Sequence, residues 1–412
     1  MRLRPSTLDL TLDRIAITGL GSINALGVGV AAFAEGLRAG SCGIGELSLF
    51  SSAGFRSSTA AEVKELHPPA WLPRATVRRA SRTTLLALMA AAEAWRMAGL
   101  TEPGDAGVVI GTTTGGMAAG EECFRRMVVG EPGHRRLSDW LETPVSTPAD
   151  AVAHAFACYG PRLTVSTACS SGANALGLAA DWIRSGRAAT VLCGGTDSLC
   201  QMTYSGFNAL QALAREPCRP FDKNRAGLTL GEGAAMFVFE HWQHARQRGA
   251  RIVGEFVAYG VSADAHHLTQ PRPDGECAAL AMRRALHEGG VAAEEIDYVN
   301  AHGTGTPLND VVETRAIKAV LGARALQVPV SSTKSMIGHC LGAAGAIEAL
   351  ASLLAIRGGF VPPTATLESP DPECDLDYVP KLSRPAQLTT VLSNSYGFGG
   401  NNTSVIIRGY EG

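Results

Sequence analysis

Three separated segments of this chain share one local pattern, a short β-branched run that ends at serine, threonine or glycine. They are residues 165–172 (VSTACSSG), 300–307 (NAHGTGTP) and 332–339 (STKSMIGH). Such a run indicates a buried strand, so the polar residue lies where the strand ends. In open α/β sheets that edge is where ligands bind. The pattern therefore predicts that Cys169, His302 and His339 lie at strand ends, and one thiol with two imidazoles is what thiol-based acyl transfer needs.

Strands that end in glycine alternate with apolar helices along the chain. Residues 14–21, 108–111 and 191–195 indicate strands. Residues 83–98 and 173–185 have the broad apolar faces of helices. Alternation of this kind predicts parallel βαβ units and therefore an α/β fold.

A weak internal repeat indicates a duplicated architecture. Residues 165–177 read as a strand, a tight polar loop and a small-residue helix, and residues 330–346 repeat this order. A new strand begins after a polar stretch near residue 250. We therefore predict an N-terminal half, residues 1–250, that carries the cysteine, and a C-terminal half, residues 251–412, that carries the histidine pair. Two such halves facing each other would form the site between them.

Composition limits the classes of function. The 412 residues are 46% hydrophobic and 18% charged, which predicts a large core rather than disorder. The net charge of −2 gives no reason to expect a nucleic-acid partner. The first residues lack the apolar region of a signal peptide, and charges interrupt the alanine-rich runs, so we expect a cytoplasmic protein with no membrane partner. None of the ten cysteines forms a Cys-x-x-Cys pair, so no metal site is predicted.

Cys169 immediately precedes a predicted helix that begins near Ser170. The free N–H groups and the positive end of the helix dipole would stabilise a thiolate at this position. Small residues follow the cysteine, so the backbone can turn sharply and an acyl group can approach. A buried structural cysteine at the end of a strand is the alternative interpretation.

Both candidate histidines have small neighbours. Ala301 and Gly303 flank His302, and a glycine- and alanine-rich helix start follows His339. This leaves space around the imidazoles that a structural core histidine would not need. Two neutral imidazoles that donate N–H bonds to one oxygen would stabilise an enolate or oxyanion.

A fourth segment, residues 393–402 (SNSYGFGGNN), contains three glycines around Phe398. It predicts a bent loop whose backbone comes close to another group. The alternative is an ordinary loop before the last strand. No Gly-Lys-Ser/Thr sequence follows these glycines, so phosphate binding is not expected.

The motifs resemble, in this order, those of the β-ketoacyl-acyl carrier protein synthases of the condensing-enzyme family, on the synthase II-like branch. The resemblance extends from residues 15–21 to residues 397–400. It implies the thiolase fold, a duplicated five-layered αβαβα sandwich that is usually dimeric. This implication agrees with the internal repeat.

The resemblance implies a decarboxylative condensation. Cys169 would accept an acyl chain from the phosphopantetheine thioester of an acyl carrier protein, and His302 and His339 would assist decarboxylation of a malonyl extender. The enolate would attack the acyl–cysteine to give a β-ketoacyl product. Backbone N–H groups of Cys169 and Phe398 would form the oxyanion hole, and Phe398 with Gly399 would act as a gate. The substrates travel on phosphopantetheine, so no separate cofactor is implied.

The same resemblance implies roles for polar residues around the histidines. Lys334, paired with Glu313, would order this region by a charge-assisted bond. Thr304 and Thr306 would hydrogen-bond the pantetheine arm.

Some positions depart from the family's pattern and bear on the acyl group. Thr114 occupies a position that resembles the family's acyl-pocket wall, where fatty-acid enzymes often have a larger apolar residue, and Phe207 would also line that pocket. Asn401 replaces the usual threonine, and Tyr396 stands where phenylalanine is common. The Ser-Thr-Ala-Cys-Ser-Ser-Gly form of residues 166–172 also resembles polyketide and polyene synthases, so a long saturated chain is not favoured.

Local arginine clusters predict where an acidic carrier protein docks. They comprise Arg78, Arg79, Arg82, Arg135 and Arg136. A local basic patch on a near-neutral protein favours an acidic partner. The alternative is a set of ordinary solvated helix arginines.

Several functions stay open at this stage. The leading hypothesis is an elongating enzyme of fatty-acid, type II polyketide or aryl polyene synthesis, working as a homodimer or as the active half of a heterodimer with a chain-length-factor-like subunit. A non-catalytic scaffold subunit would have lost its nucleophile, and the intact Cys169, His302, His339 and Lys334 argue against it. A thiolase or simple acyltransferase would depend on coenzyme A without decarboxylation.

Overall fold

The computed structural model describes residues 14–101, 104–130 and 140–410. Its strands are β1 (Ile15–Asn24), β2 (Gly27–Val28), β3 (Gly45–Glu46), β4 (Thr59–Ala60), β5 (Gly107–Gly111), β6 (Arg162–Val165), β7 (Thr190–Asp197), β8 (Gly233–His241), β9 (Gly254–Ala263), β10 (Tyr298–Asn300), β11 (Val330–Ser331), β12 (Phe360–Val361), β13 (Arg384–Pro385), β14 (Thr390–Gly397) and β15 (Asn401–Arg408). Its helices are α1 (Val30–Ala39), α2 (Arg74–Arg79), α3 (Arg82–Met97), α4 (Met117–Val129), α5 (Thr147–Ala155), α6 (Ser171–Arg184), α7 (Gln201–Ala209), α8 (Trp242–Gln247), α9 (Glu276–Gly289), α10 (Asn309–Leu321), α11 (Lys334–Ile337) and α12 (Ala344–Gly358).

Ten strands form two groups with the same order and the same directions. The first group has the order β6-β5-β7-β8-β1, and the second has the order β11-β10-β14-β15-β9. In each group the first three strands run parallel, and the fourth runs antiparallel to both of its neighbours. The groups join where β1 and β9 pair. The weak repeat in the sequence thus corresponds to a repeated sheet topology. Residue 250 lies between α8 and β9, and the division into residues 1–250 and 251–412 stays a prediction.

The helices complete five layers. Helices α3 and α5 cover the outer face of the first strand group, α6 and α12 lie between the two groups, and α9 and α10 cover the outer face of the second. Three large clusters of buried apolar side chains fill the spaces between these layers. This arrangement confirms the predicted duplicated five-layered α/β sandwich.

The two central helices approach each other through glycines. A Cβ atom at Gly172 would lie 2.9 Å from backbone atoms at the start of α12, and one at Gly345 would lie 2.8 Å from the Ala173 nitrogen. Larger side chains would therefore push the helices apart. Because α6 begins just after Cys169 and α12 begins a few residues after His339, this close contact brings the thiol-bearing and histidine-bearing segments together.

Helix α12 lies in the middle layer and is apolar on all sides apart from Glu348 and Arg357. Within the described parts of the chain, Leu341–Gly358 is the one helical stretch whose length and composition would suit a membrane span. However, 83% of it is buried between the two strand groups. A helix that is hydrophobic all round and enclosed in this way is a core helix of a large protein.

Candidate active site

Cys169 lies in a sharp turn between strand β6 and helix α6. The residue before it, Ala168, has a φ of 53°, which a residue with a side chain adopts only under strain. The Ala168 carbonyl oxygen holds the turn by accepting hydrogen bonds from Ser171 Oγ at 2.6 Å and from the Ser171 N–H at 3.1 Å. This is the kind of strained strand-to-helix turn that holds a nucleophile at the end of a strand.

The environment of Cys169 keeps the free thiol protonated. Burial raises its pKa to about 11, which outweighs the opposing effects of the Lys334 charge and of the Phe398 backbone N–H. The sequence led us to expect a thiolate stabilised by the start of the helix. The structure differs because the side chain is enclosed, with only 7% of the residue exposed, and desolvation disfavours the charged form.

His339 has a fixed tautomer. Its Nδ1 accepts the backbone N–H of Leu341 at 3.0 Å, so Nδ1 carries no proton and Nε2 carries one. Burial and the Lys334 charge hold the pKa of His339 well below its usual value. The imidazole is therefore neutral and donates through Nε2.

His302 has the same tautomer for a different reason. Lys334 Nζ lies 3.3 Å from His302 Nδ1, and a lysine ammonium can only donate. Burial, Lys334 and His339 together hold the pKa of His302 well below its usual value. The His302 and His339 rings lie 5.3 Å apart between centroids at 84°. The site thus holds two adjacent neutral imidazoles that donate from Nε2.

The predicted pairing of Lys334 with Glu313 is wrong. Lys334 forms its ion pair with Glu348 of helix α12, and both residues are 1% exposed. Glu313 instead accepts the backbone N–H groups of His302 and Gly303, each at 2.8 Å. Glu313 lies in helix α10, which follows the His302 turn, and its carboxylate is taken up by the backbone N–H groups of that turn. Helix α12 passes beside Lys334, so Glu348 is the acid that pairs with it.

Glu348 was missed from the sequence, although a signal was present. It is the single charged residue between Leu341 and Ile356 in an otherwise apolar helix. A charge in such a helix is almost always paired. Burial raises its pKa to about 7 against the lowering effect of Lys334.

The glycine-rich segment places Phe398 against the thiol. The Phe398 backbone N–H lowers the pKa of Cys169 against the effect of burial, and the Phe398 ring stacks on Phe207 with centroids 5.5 Å apart. Gly399 has a φ of 78° and donates its N–H to the Leu268 carbonyl at 2.8 Å. The Asn401 side chain donates to the Phe398 carbonyl at 3.0 Å. The predicted close backbone approach is therefore present.

One cavity of about 540 Å³ connects these groups. Among the residues that line it are Cys169, Phe207, His302, Thr304, Thr306, His339, Tyr396, Phe398 and Gly399. The hydroxyls of Thr304 and Thr306 lie 2.8 Å apart on its wall. The structure thus brings the cysteine, both histidines, both threonines and the Phe398 loop to one space.

Thr114 is not on the wall of this cavity. It is 2% exposed, and its hydroxyl donates to Asp197 Oδ1 at 2.7 Å. Asp197 also accepts the Thr112 hydroxyl and the Gly342 N–H, each at 2.6 Å. The loop after β5 therefore turns inward to satisfy a buried carboxylate, which the sequence analysis did not identify.

The predicted docking arginines have different surroundings. Arg78 and Arg79 are exposed at the end of helix α2. Arg82 binds the fully buried Glu232 with two hydrogen bonds, at 2.8 and 2.5 Å, so its place in a docking surface was a wrong prediction. Arg135 and Arg136 lie outside the described residues.

Comparison with known proteins assigns the family. The N-terminal domain model of the β-ketoacyl synthases matches residues 12–245, and the C-terminal domain model matches residues 253–368. The chain is 39% identical to 3-oxoacyl-[acyl-carrier-protein] synthase 2 of Synechocystis sp., over 98% of this chain and 100% of that protein.

Solved structures agree with the sequence comparison. The ishigamide ketosynthase/chain length factor has a TM-score of 0.91 and 37% identity, covering 97% of this chain and 99% of that chain. The AntDE:AntF complex, a type II polyketide synthase acyl-carrier protein with its ketosynthase bound to the hexaketide, has a TM-score of 0.88 and 32% identity, covering 97% of this chain and 99% of that chain. The chain therefore belongs to the β-ketoacyl synthase family and is a condensing acyltransferase on the thiolase fold, as its motifs predict.

Proposed function

We propose that this protein joins an acyl group held on Cys169 to a malonyl group held on acyl carrier protein, with loss of CO₂, to give β-ketoacyl-acyl carrier protein. One observation carries the proposal. His302 and His339 are both neutral, and each has a hydrogen-bond donor at Nδ1, so both Nε2–H groups are available in the cavity that contains Cys169. That is the electrostatic arrangement an enolate oxygen requires.

The first step is thioester exchange. The Cys169 sulfur attacks the acyl carbonyl carbon, and the oxygen of the tetrahedral intermediate accepts the N–H groups of Cys169 and Phe398. The bond to the phosphopantetheine sulfur then breaks, and that sulfur takes up the thiol proton. Because the Cys169 pKa is about 11, the thiol must lose its proton as the attack proceeds.

The second step makes the carbon–carbon bond. The malonyl thioester oxygen accepts Nε2–H bonds from His302 and His339, the bond to the carboxylate breaks, and CO₂ leaves. The electron pair forms an enolate, whose carbon attacks the acyl carbon on Cys169. The bond between the acyl carbon and the Cys169 sulfur breaks, and the released thiolate takes up a proton from solvent. Decarboxylation supplies the carbanion, so no strong base is needed.

Lys334 acts as a positioning residue in this scheme. Its ammonium holds His302 in the Nε2–H tautomer and keeps it from becoming protonated. Glu348 holds the ammonium in place and balances its charge. Glu313 supports the same histidine from the backbone side.

We assign the remaining cavity residues to substrate passage. Phe398 and Gly399 would form a gate, because the Phe398 ring stacks on Phe207 in the cavity that Cys169 lines and would have to move for an acyl chain to pass. Phe207 lines the acyl pocket behind this gate. Thr304 and Thr306 present hydroxyls on the cavity wall and would bind the amide groups of the pantetheine arm.

The partner proposed for the surface is an acidic acyl carrier protein. Exposed Arg78 and Arg79 stay candidates for its docking. Arg56, which sequence reasoning missed, is exposed and lines the cavity, so it would meet a carrier whose arm enters there. The AntDE:AntF relative has an acyl-carrier protein bound to its ketosynthase.

We place the protein in the cytoplasm as a dimer. Each chain has two thiolase-like halves, with the nucleophile in residues 1–250 and the histidines in residues 251–412. The pathway is polyketide or aryl polyene synthesis, or fatty-acid synthesis. The likeness to the ishigamide ketosynthase/chain length factor favours a second form of the proposal, in which the chain is the active subunit of a heterodimer. No cofactor takes part in the proposed chemistry.

Mass spectrometry tests the proposal directly. The purified protein is incubated with malonyl-acyl carrier protein and a panel of acyl primers, and acylation of Cys169, release of CO₂ and β-ketoacyl product are followed. Cys169→Ala should abolish product, whereas Cys158→Ala, a buried cysteine in the outer core, should retain it. No acylation by any primer, alone or with a coexpressed chain-length-factor subunit, contradicts the proposal. Activity only with the second subunit establishes the heterodimer.

A further inference from the structure

Tyr396 lies beside the catalytic histidines with its hydroxyl unused. It is near the end of strand β14, is 9% exposed, and lines the same cavity as Cys169 and His339. Its ring centroid is 5.5 Å from that of His302. None of the roles assigned above involves this side chain.

The Tyr396 hydroxyl has no hydrogen-bond partner among the described residues. Tyr204, Tyr298 and Tyr378 are also buried, and their hydroxyls bond Thr59, Ser331 and Thr314 respectively, at 3.0, 2.8 and 2.5 Å. Several other buried polar atoms in the described chain lack partners, but Tyr396 is the one residue among them that lines this cavity. A buried polar group without a partner calls for an explanation, and the cavity offers one.

Neither of the two nearby carboxylates accepts a hydrogen bond from the Tyr396 hydroxyl. Glu313 accepts from the backbone of His302 and from the Asn394 amide. Asp264 accepts from Asn402 at 2.6 Å. Burial together with the charges of these two acids holds the pKa of Tyr396 well above its usual value. The hydroxyl therefore keeps its proton and is available as a donor throughout the physiological pH range.

We propose that the Tyr396 hydroxyl donates a hydrogen bond to a carbonyl or carboxylate oxygen of the phosphopantetheine-borne substrate beside His302. This inference rests on the proposed function, because it concerns the same cavity and the same substrate. The acceptor has two sources. The carboxylate belongs to the malonyl group alone, whereas the amide and thioester carbonyls belong to every phosphopantetheine thioester.

The test compares two Tyr→Phe variants, each lacking one buried hydroxyl. In Tyr396→Phe the lost oxygen has no protein partner, so the midpoint of thermal unfolding should stay level or rise. In the control, Tyr378→Phe, the buried hydrogen bond between the Tyr378 and Thr314 hydroxyls is lost while Thr314 keeps its bond to the Asp310 carbonyl, so the midpoint should fall while turnover stays unchanged. For turnover, Tyr396→Phe should lower kcat/KM by about 3- to 10-fold, the usual effect of one hydrogen bond.

Two half-reactions identify the acceptor. Acylation of Cys169 from acyl-acyl carrier protein involves no carboxylate, whereas condensation with malonyl-acyl carrier protein does. A loss confined to condensation assigns the hydroxyl to the malonyl carboxylate, and an equal loss in both assigns it to a carbonyl of the carrier thioester.

Three results would overturn the inference. Wild-type rates in both half-reactions of Tyr396→Phe would refute it and leave the proposed function intact. A fall in unfolding midpoint like that of Tyr378→Phe would show that the hydroxyl serves the fold instead. A wild-type protein that condenses no primer, with or without a second subunit, would remove the proposed function and this inference with it.

Discussion

The buried ion pair between Lys334 and Glu348 allows a prediction that separates stability from catalysis. Both residues are 1% exposed, so removing one partner leaves the other charge without compensation. Breaking such a pair costs about 3–5 kcal/mol. For a chain of 412 residues, the typical entropy of unfolding converts this into a fall of roughly 3–6 °C in Tm. We expect Glu348→Leu to show this full effect.

The two single variants should lower Tm by different amounts. Lys334→Met leaves Glu348, whose pKa burial already raises to about 7, so the carboxyl can take up a proton and become neutral. Its effect on Tm should therefore be smaller than that of Glu348→Leu. The double variant, Lys334→Met with Glu348→Leu, removes both charges and should recover most of the lost stability, since apolar replacement of a buried pair is often neutral.

Catalysis should not recover with stability. In the double variant no ammonium holds the His302 Nδ1, so the Nε2–H tautomer is no longer fixed and decarboxylation of malonyl-acyl carrier protein should stay low. Differential scanning calorimetry and release of labelled CO₂ measure the two properties on the same samples. If the fall in Tm of the double variant equals the sum of the falls in the two single variants, the charge-pairing argument is refuted. Wild-type CO₂ release by the double variant would refute the role of Lys334.

Other predictions concern single residues. The rate of Cys169 alkylation by iodoacetamide should rise about tenfold per pH unit from pH 7 to pH 10, because the thiol pKa is about 11; a plateau near pH 8 would contradict this. Arg82→Ala should lower stability by about 3–5 kcal/mol by leaving the buried Glu232 unpaired, with an unchanged KM for acyl carrier protein; a raised KM at unchanged Tm would restore Arg82 to the docking surface. Gly345→Ala should destabilise the protein by about 1–3 kcal/mol or more, because the new Cβ would lie 2.8 Å from a backbone nitrogen of α6; an unaltered Tm would refute that close contact. Burial raises the Glu313 pKa to about 7, so its contribution to stability is fully present below about pH 4.5 and lost as the pH rises through about 7. Glu313→Gln should flatten that part of the stability–pH curve, and an unchanged slope would contradict the buried-carboxyl argument.

The sequence by itself determined the α/β class and the duplication, and it predicted the residues that we propose perform the chemistry. These properties are local. Cys169, His302 and His339 each follow a short apolar strand and are surrounded by small residues, and both signals can be read within about ten residues of chain. The internal repeat predicted a site between two halves, and the close contact of α6 with α12 brings together the strand ends of the two groups.

Only the tertiary structure decided which groups bind each other and which are charged. Glu313 and Glu348 are both acids at plausible distances along the chain from Lys334, and the packing of α12 in the middle layer selected Glu348. The Thr114 side chain binds Asp197 and the Arg82 side chain binds Glu232, and both partners are distant in sequence. The burial of a side chain depends on contacts from all parts of the fold, so it cannot be read from a single segment. For that reason the sequence suggested two neutral imidazoles without their cause and wrongly suggested a thiolate, whereas burial lowers the pKa of both histidines and raises the pKa of the Cys169 thiol.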